Sequence, residues 1–296
     1  MATLHDIKTE IKSVKNIQKI SRAMKLVATA KLKQAVDRVN ATRPYLEKLR
    51  NIIIHLFQVE QVNKIEHPYF KTHDRVDRIA LIVVAGDRGM CGSLNSDILK
   101  KADEIIAATK AKKIKIELHL IGKKAIDYYW KKDLEIGDTI LGLSRKPELK
   151  QIHNFVEKIA LRYMQNDFQK VQIVFAKFIS TLSNVPHHEF VLPTSYEQIK
   201  ALGKTEEISE DCLIEPDTAS IMDKILPHYT DMAFFQYILE AVACEHASRM
   251  VAMTAATDKA EEIIDKLSLD YNRARQGVIT RQIIEIVSGA EAMETV

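Results

Sequence analysis

From Ala233 to Ser288 the sequence has no proline, and glycine occurs only at Gly277. An unbroken helix of that span reaches roughly 80 Å at 1.5 Å per residue, whereas helices in globular proteins usually run three or four turns. Such a helix needs a partner along its length. The pattern begins near Thr218, with Pro227 in its first turns.

The other end of the chain offers that partner. Residues 4–57 read as one long helix in which Leu4, Ile7, Ile11 and Val14 fall three and four apart. After a slip, Ile17, Ile20, Met24 and Val27 continue the stripe; after a second slip, Leu32, Ala35 and Val39 do so. This is an imperfect coiled-coil seam, with slips that locally change the supercoil. Ala23, Ala28 and Ala30 allow close approach, and Pro44 is expected to bend or interrupt the helix. The net charge of +3 conceals a split. Residues 1–50 carry 12 basic and 4 acidic side chains, and residues 200–296 carry 9 and 18. The two ends therefore attract. The basic arm has no interleaved aromatics and no nucleic-acid motif, so nucleic acid is not expected as a partner.

Residues 76–200 have another texture. Arg78–Ala85 is a short β-prone apolar run of the kind buried on both faces of a sheet. Further strands are expected at 114–122, 171–176 and 189–193, the last at an edge because of Pro193. Helices are expected at 96–109, 123–131 and 148–166. Only nine glycines and seven prolines among 296 residues speak against a β-sandwich. The fold class is α/β with long terminal helices: an antiparallel two-helix coiled coil from both chain ends and an inserted Rossmann-like domain with a mostly parallel sheet. The segments are 1–57, 75–200 and 217–290, with a polar, irregular stretch at 203–217.

Chemistry is sparsely marked. Asp87, Arg88, Gly89, Cys91 and Gly92 lie in a Gly86–Gly92 turn between a strand and a helix, where phosphate loops sit. The GxxGxxG spacing is neither the dinucleotide nor the P-loop fingerprint, so the turn is expected to be exposed and to dock on a partner. Cys91, Cys212 and Cys244 are too far apart in sequence for a CxxC site, and a reducing compartment follows. His187-His188 reads as a polar loop, not a metal pair. Glu245 and Arg249 read as an exposed ion pair at helical spacing. No apolar run is long enough for a membrane span. The chain enters a helical pattern at once, without an apolar leader, and this points to a bacterial source.

Four blocks resemble one family, the γ subunits of F-type ATP synthase. They are Ile11–Ala28, Asp87–Asn95 (DRGMCGSLN), Glu245–Met253 with Tyr271–Thr280, and Glu285–Ala290. The resemblance implies a non-catalytic rotor shaft with no bound cofactor or metal. Its partners would be the α and β subunits of the hexamer, the ε subunit and the membrane c ring. It would lie peripherally on the cytoplasmic side of the inner membrane, without inserting into it. By this likeness Met24 and Lys25 face an acidic lever of a β subunit, and Arg275 and Gln276 form a polar catch. Thr280, Glu285 and Ile286 belong to the end held in the hexamer, Ile279, Ile283 and Val287 completing its apolar surface. Glu215 faces the c ring. The sequence departs from the family at Gln282, Ile284 and Gly277, and Cys212 and Ile214 stand where tyrosines are frequent. A dinucleotide-binding enzyme and a generic coiled-coil scaffold are the alternatives; the first lacks its glycine motif, and the second does not explain the ordered blocks.

Overall fold

The computed structural model describes residues 3–60, 67–143, 147–181, 183–201 and 214–294; Gly203 and Cys212 lie outside these ranges. Two helices close the chain at either end, α1 (Leu4–Glu60) and α6 (Thr218–Glu294). The chain divides into two compact units, Met1–Ala28 with Met250–Val296, and Thr29–Arg249.

The first unit is entirely helical. Thr3 and Asp6 cap α1 reciprocally: the Thr3 N–H donates to Asp6 Oδ2 (2.9 Å) and the Asp6 N–H to Thr3 Oγ1 (3.3 Å), a capping-box arrangement. The less exposed residues of α1 here are Leu4, Ile7, Ile11, Val14, Gln18, Ser21, Met24, Lys25 and Ala28, so the seam retains Met24 of the expected stripe. This heptad does not slip. Ile17, Ile20 and Val27, expected in the seam, are 54%, 61% and 58% exposed. The interior positions are instead held by Gln18 and Ser21, whose polarity hid the true phase from an apolar count. In α6 the matching positions are Met253, Thr257, Ala260, Ile264, Leu267, Tyr271 and Ala274, again three and four apart.

The second unit is the α/β domain with the helix segments packed on it. Its five strands are β1 (Arg78–Val84), β2 (Lys115–Ile121), β3 (Glu135–Ile140), β4 (Lys170–Phe178) and β5 (Asn184–Leu192). They run in the order β3-β2-β1-β4-β5. The first four are parallel, and β5 adds antiparallel at the edge. The connecting helices are α2 (Leu94–Ala111), α3 (Lys123–Tyr129), α4 (Leu149–Met164) and the short α5 (Tyr196–Ala201). Strand β1 shows why the run is apolar throughout. Ile79, Leu81 and Val83 pack with α2 and α3, while Ala80, Ile82 and Val84 join the core formed with α1, α4 and α6. β3 escaped the sequence reading because Glu135, Gly137 and Asp138 break its alternation, and its pairing with β2 shifts register between Leu118 and Leu120.

Within this unit α1 and α6 run antiparallel. Ala35 and Arg38 share a cavity wall with Leu239 and Val242, and farther along α1 the Tyr45 hydroxyl meets His228 Nε2 at 2.6 Å. Pro44 and Pro227 both lie inside continuous helix, so neither interrupts it. Between Tyr229 and Ala247 α6 is buried on nearly every side. Ala243, Cys244 and Ala247 are fully enclosed. Their small side chains bring the helix close enough for the Cys244 thiol to donate to the Ala176 carbonyl at 3.4 Å on β4. At the far corner, the single tryptophan, Trp130, is 71% exposed beside α3.

One charged cluster ties β1, β2 and α4 together. The buried Glu117 carboxylate accepts from Arg78 Nη2 (2.5 Å), Arg162 Nη1 (2.6 Å) and Arg162 Nη2 (2.8 Å). Arg162 also stacks over Phe168, 4.2 Å from the ring centroid. Burial pushes the Glu117 carboxyl up, but the Arg162 hydrogen bonds and the charges of Arg162 and Arg78 outweigh it and hold it below its usual range. His119, fully enclosed, accepts the Asp138 N–H at Nδ1 (3.2 Å), so its proton sits on Nε2, 3.5 Å from Glu117 Oε1. Gly137 is required for space: a Cβ there would lie 2.4 Å from Glu117 Oε1.

Glu117→Ala is expected to destabilise the domain by about 3–5 kcal/mol, because it leaves buried guanidinium charge uncompensated; denaturant unfolding measures it. The depressed carboxyl adds stability that is present above its unfolded pKa and lost as pH falls through its folded one. Acid unfolding of the wild type should therefore steepen below about pH 4, and Glu117→Gln should flatten that limb.

Candidate functional site

In open α/β sheets ligands bind beyond the carboxyl ends of the strands, where the strand order reverses. Here that point lies between β1 and β4, and the turn of residues 86–92 follows β1 directly. Beside it, the carboxyl ends of β1 and β2 are covered by α6 of the chain itself. A Cβ on Gly86 would lie 2.9 Å from the Glu245 carboxyl carbon. The space left among Ala85, Gly86, Asp87, Gly122 and Glu245 is about 20 Å³, room for one water and too little for a phosphate.

The turn is held from inside and from α6. The Gly86 N–H donates to Asn95 Oδ1 (2.8 Å), and Asn95 Nδ2 donates to the Arg88 carbonyl (3.3 Å). Asp87 Oδ1 accepts the N–H groups of Lys123 (3.2 Å) and Gly142 (3.3 Å). Gly122 permits this approach, since its φ is +92° and a Cβ there would collide with the Ala85 carbonyl oxygen at 1.9 Å. From α6, Arg249 donates from Nε and Nη2 to the Gly89 carbonyl at 3.4 and 3.3 Å. Its Nη2 also meets Glu245 Oε1 at 2.6 Å, and its Nη1 donates to His246 Nδ1 at 3.3 Å.

The Glu245–Arg249 pair is thus not the exposed surface pair that its spacing suggested. The two side chains are 4% and 9% exposed. Their setting among Ala241, Ala243, Ala247 and Cys244 was the available signal: charges set in a small-residue stripe point inward. His246 escaped the sequence reading altogether. Cys91 is buried in the turn, and burial raises its thiol pKa despite the Arg249 charge, which leaves it a poor nucleophile. Met90 remains 63% exposed at the tip.

The other residues singled out by sequence fall elsewhere. Met24 and Lys25 are half-buried on α1 of the first unit, with Lys19 and Arg22 exposed nearby. Arg275, Gln276, Thr280, Glu285 and Ile286 are all exposed on α6. Around them Ile279, Ile283 and Val287 are 46%, 55% and 51% exposed, an apolar helix end without cover from its own unit. Glu215 is exposed just before α6. His187 and His188 lie in β5 and not in a loop. His187 Nε2 bonds Glu189 (2.7 Å), and His188 Nε2 bonds Gln172 (3.0 Å). Among the described residues no group of three or more His, Cys, Asp or Glu is arranged to hold a metal ion. None of their helices is long and apolar enough to cross a membrane.

Comparison with known proteins gives a consistent result. A family model described as ATP synthase matches residues 3–293. The chain is 36% identical over 296 residues to the ATP synthase gamma chain of Nitrosococcus oceani, covering 99% of this chain and 100% of that one. It is 36% identical over 293 residues to that of Leptospira biflexa, again at 99% and 100%. Among solved structures it superposes on a chain of the Euglena gracilis mitochondrial ATP synthase with a TM-score of 0.66 at 19% identity, over 98% of this chain and 94% of that one. A central stalk/c-ring structure from Tetrahymena thermophila gives 0.58 at 20% identity, over 80% and 99%.

Arg249→Met should release the turn of residues 86–92 and leave the buried Glu245 without its cation, at a cost of about 2–4 kcal/mol. Amide hydrogen exchange should show protection lost first at Gly89–Asn95. Unchanged exchange there would mean that α6 does not hold the turn.

Proposed function

The chain belongs to the ATP synthase gamma chain family, and we propose from this that it is the rotating central-stalk subunit of a proton- or sodium-driven synthase. In this reading it carries torque between the membrane c ring and the hexamer of α and β subunits, with ε bound beside it. It performs no catalysis itself and holds no cofactor. It rests peripherally on the cytoplasmic face of a bacterial inner membrane.

The observation that carries this reading is the end of α6. From Arg275 to Ala290 every residue is exposed, yet Ile279, Ile283, Ile286 and Val287 are apolar. An exposed apolar surface of this kind marks an interaction site. Hydrophobic contact has no preferred direction, so such an end can turn within an apolar bearing without breaking bonds held in register. Arg275 and Gln276, one turn earlier, supply the directional contact a catch needs. Thr280 and Glu285 lie between these apolar positions. Met24 and Lys25, flanked by Lys19 and Arg22, present positive charge to an acidic lever, and Glu215 takes a place at the c-ring end.

The covered ends of β1 and β2 support the non-catalytic part of the proposal. A nucleotide-binding domain needs its glycine turn open to phosphate; here the turn is closed by Glu245 and Arg249. The loop residues Asp87, Arg88, Gly89, Cys91 and Gly92 then serve to couple the α/β domain to α6.

In the assembled complex, Arg275→Glu combined with Gln276→Ala should slow ATP hydrolysis and reduce torque several-fold. Single-molecule rotation and bulk turnover read this, and wild-type values in both would remove the assigned catch. Ile283→Ser with Ile286→Ser should weaken assembly, while the isolated chain melts within a degree or so of wild type, because substitutions at exposed positions usually change stability by no more than about 0.5 kcal/mol.

A further inference from the structure

A second cavity, of about 150 Å³, lies between α1 and α6 within the second unit. Its polar wall is Lys31, Gln34 and Arg38 from α1 and His246 from α6; Ala35 and Leu239 are among its apolar residues. The α1 residues are spaced three and four apart, which places them along one face of the helix. No carboxylate lines the cavity. Among the described residues the side chains of Lys31, Gln34 and Arg38 have no hydrogen-bond or ion-pair partner.

His246 is the built part of this wall. Its residue exposure is 6%, and Arg249 Nη1 donates to its Nδ1. An arginine cannot accept, so the neutral ring carries its proton on Nε2. The imidazole pKa is pushed down to about 4, chiefly by burial; Glu245 opposes the shift, and the charges of Arg249, Lys31 and Arg88 add to it. The ring therefore stays neutral and keeps a donor at Nε2, in a positive field that it does not relieve.

We propose that this cavity is an oxyanion site that takes a phosphate group, either free inorganic phosphate or the phosphate of a nucleotide. Two cations, an amide and a neutral imidazole line a groove large enough for one tetrahedral anion, with Gln34 and Arg38 on its exposed side and Lys31 and His246 deeper. Among the described residues Lys31 and Arg38 each lack an acid to neutralise them, so an incoming anion breaks no ion pair there. The proposal does not rest on the rotary reading: the site belongs to the domain unit and not to the exposed end of α6.

The full-length chain is titrated at low salt with inorganic phosphate, with ATP and with an acidic peptide of glutamates, followed by phosphorus NMR for the first two and by calorimetry for all three. Saturable binding of phosphate or ATP, one per chain, is expected. It should weaken at least about tenfold in K31Q/R38Q and remain unchanged in Lys33→Gln, an exposed cation outside the wall. Gln34→Glu, which places a carboxylate in the cavity, should abolish it. Binding of phosphate alone identifies free phosphate as the source, and binding of ATP alone identifies the nucleotide. Both varied cations lack partners, so the double variant should melt as wild type does. Absence of saturable binding by both phosphate probes, or equal binding by K31Q/R38Q, overturns the proposal. Binding of the acidic peptide alone also overturns it and makes the wall a protein contact.

Discussion

The structure depends on the close seating of α6 against the sheet. Between Tyr229 and Ala247 this helix is buried almost all round, with small residues where it meets the sheet and buried polar groups such as Gln236, Glu240 and Glu245 elsewhere on its surface. Ala243, Cys244 and Ala247 supply the small face, and the Cys244–Ala176 contact marks how near it comes to β4. Everything else follows from that approach. It covers the carboxyl ends of β1 and β2 and places Glu245 against Gly86. It also lets Arg249 reach the Gly89 carbonyl, and it gives α1 an apolar surface to lie along.

A sheet of this order usually keeps its switch point open for a ligand. Here the same geometry is turned inward. The glycines of the 86–92 turn permit close approach as they would in a phosphate loop, but the group that approaches is a carboxylate of the chain's own helix. Anion recognition has become an internal joint between a domain and a helix. This accounts for a loop that looks like a binding motif without matching one.

Most of the architecture was legible in sequence, because burial imposes periodicity. The two long helices and the buried β1, β2 and β4 declare themselves by apolar spacing, while β5 showed only its second half, its His187-His188 stretch reading as a loop. The other misses share one cause: a polar or small residue occupied an interior position. Gln18 and Ser21 hold the α1 seam, so Ile17, Ile20 and Val27 gave a false phase. Gly137 makes room for Glu117 and broke the alternation of β3. Glu245 and Arg249 have the spacing of a surface pair, and only their alanine neighbours told that they face inward. The roles proposed for Met24, Arg275 and Gln276 rest on resemblance alone, since nothing in the periodicity or burial of the chain marks them.

The lone tryptophan at the edge of α3 has a spectroscopic consequence. An indole that is 71% exposed already emits from water, so unfolding changes its surroundings little. Tyr129, Tyr163 and Tyr229 are each no more than 5% exposed, and their absorbance carries the folding transition. The two chromophores thus divide the work: tyrosine reports on the core, and tryptophan emission reports on whatever comes to rest on the α3 corner.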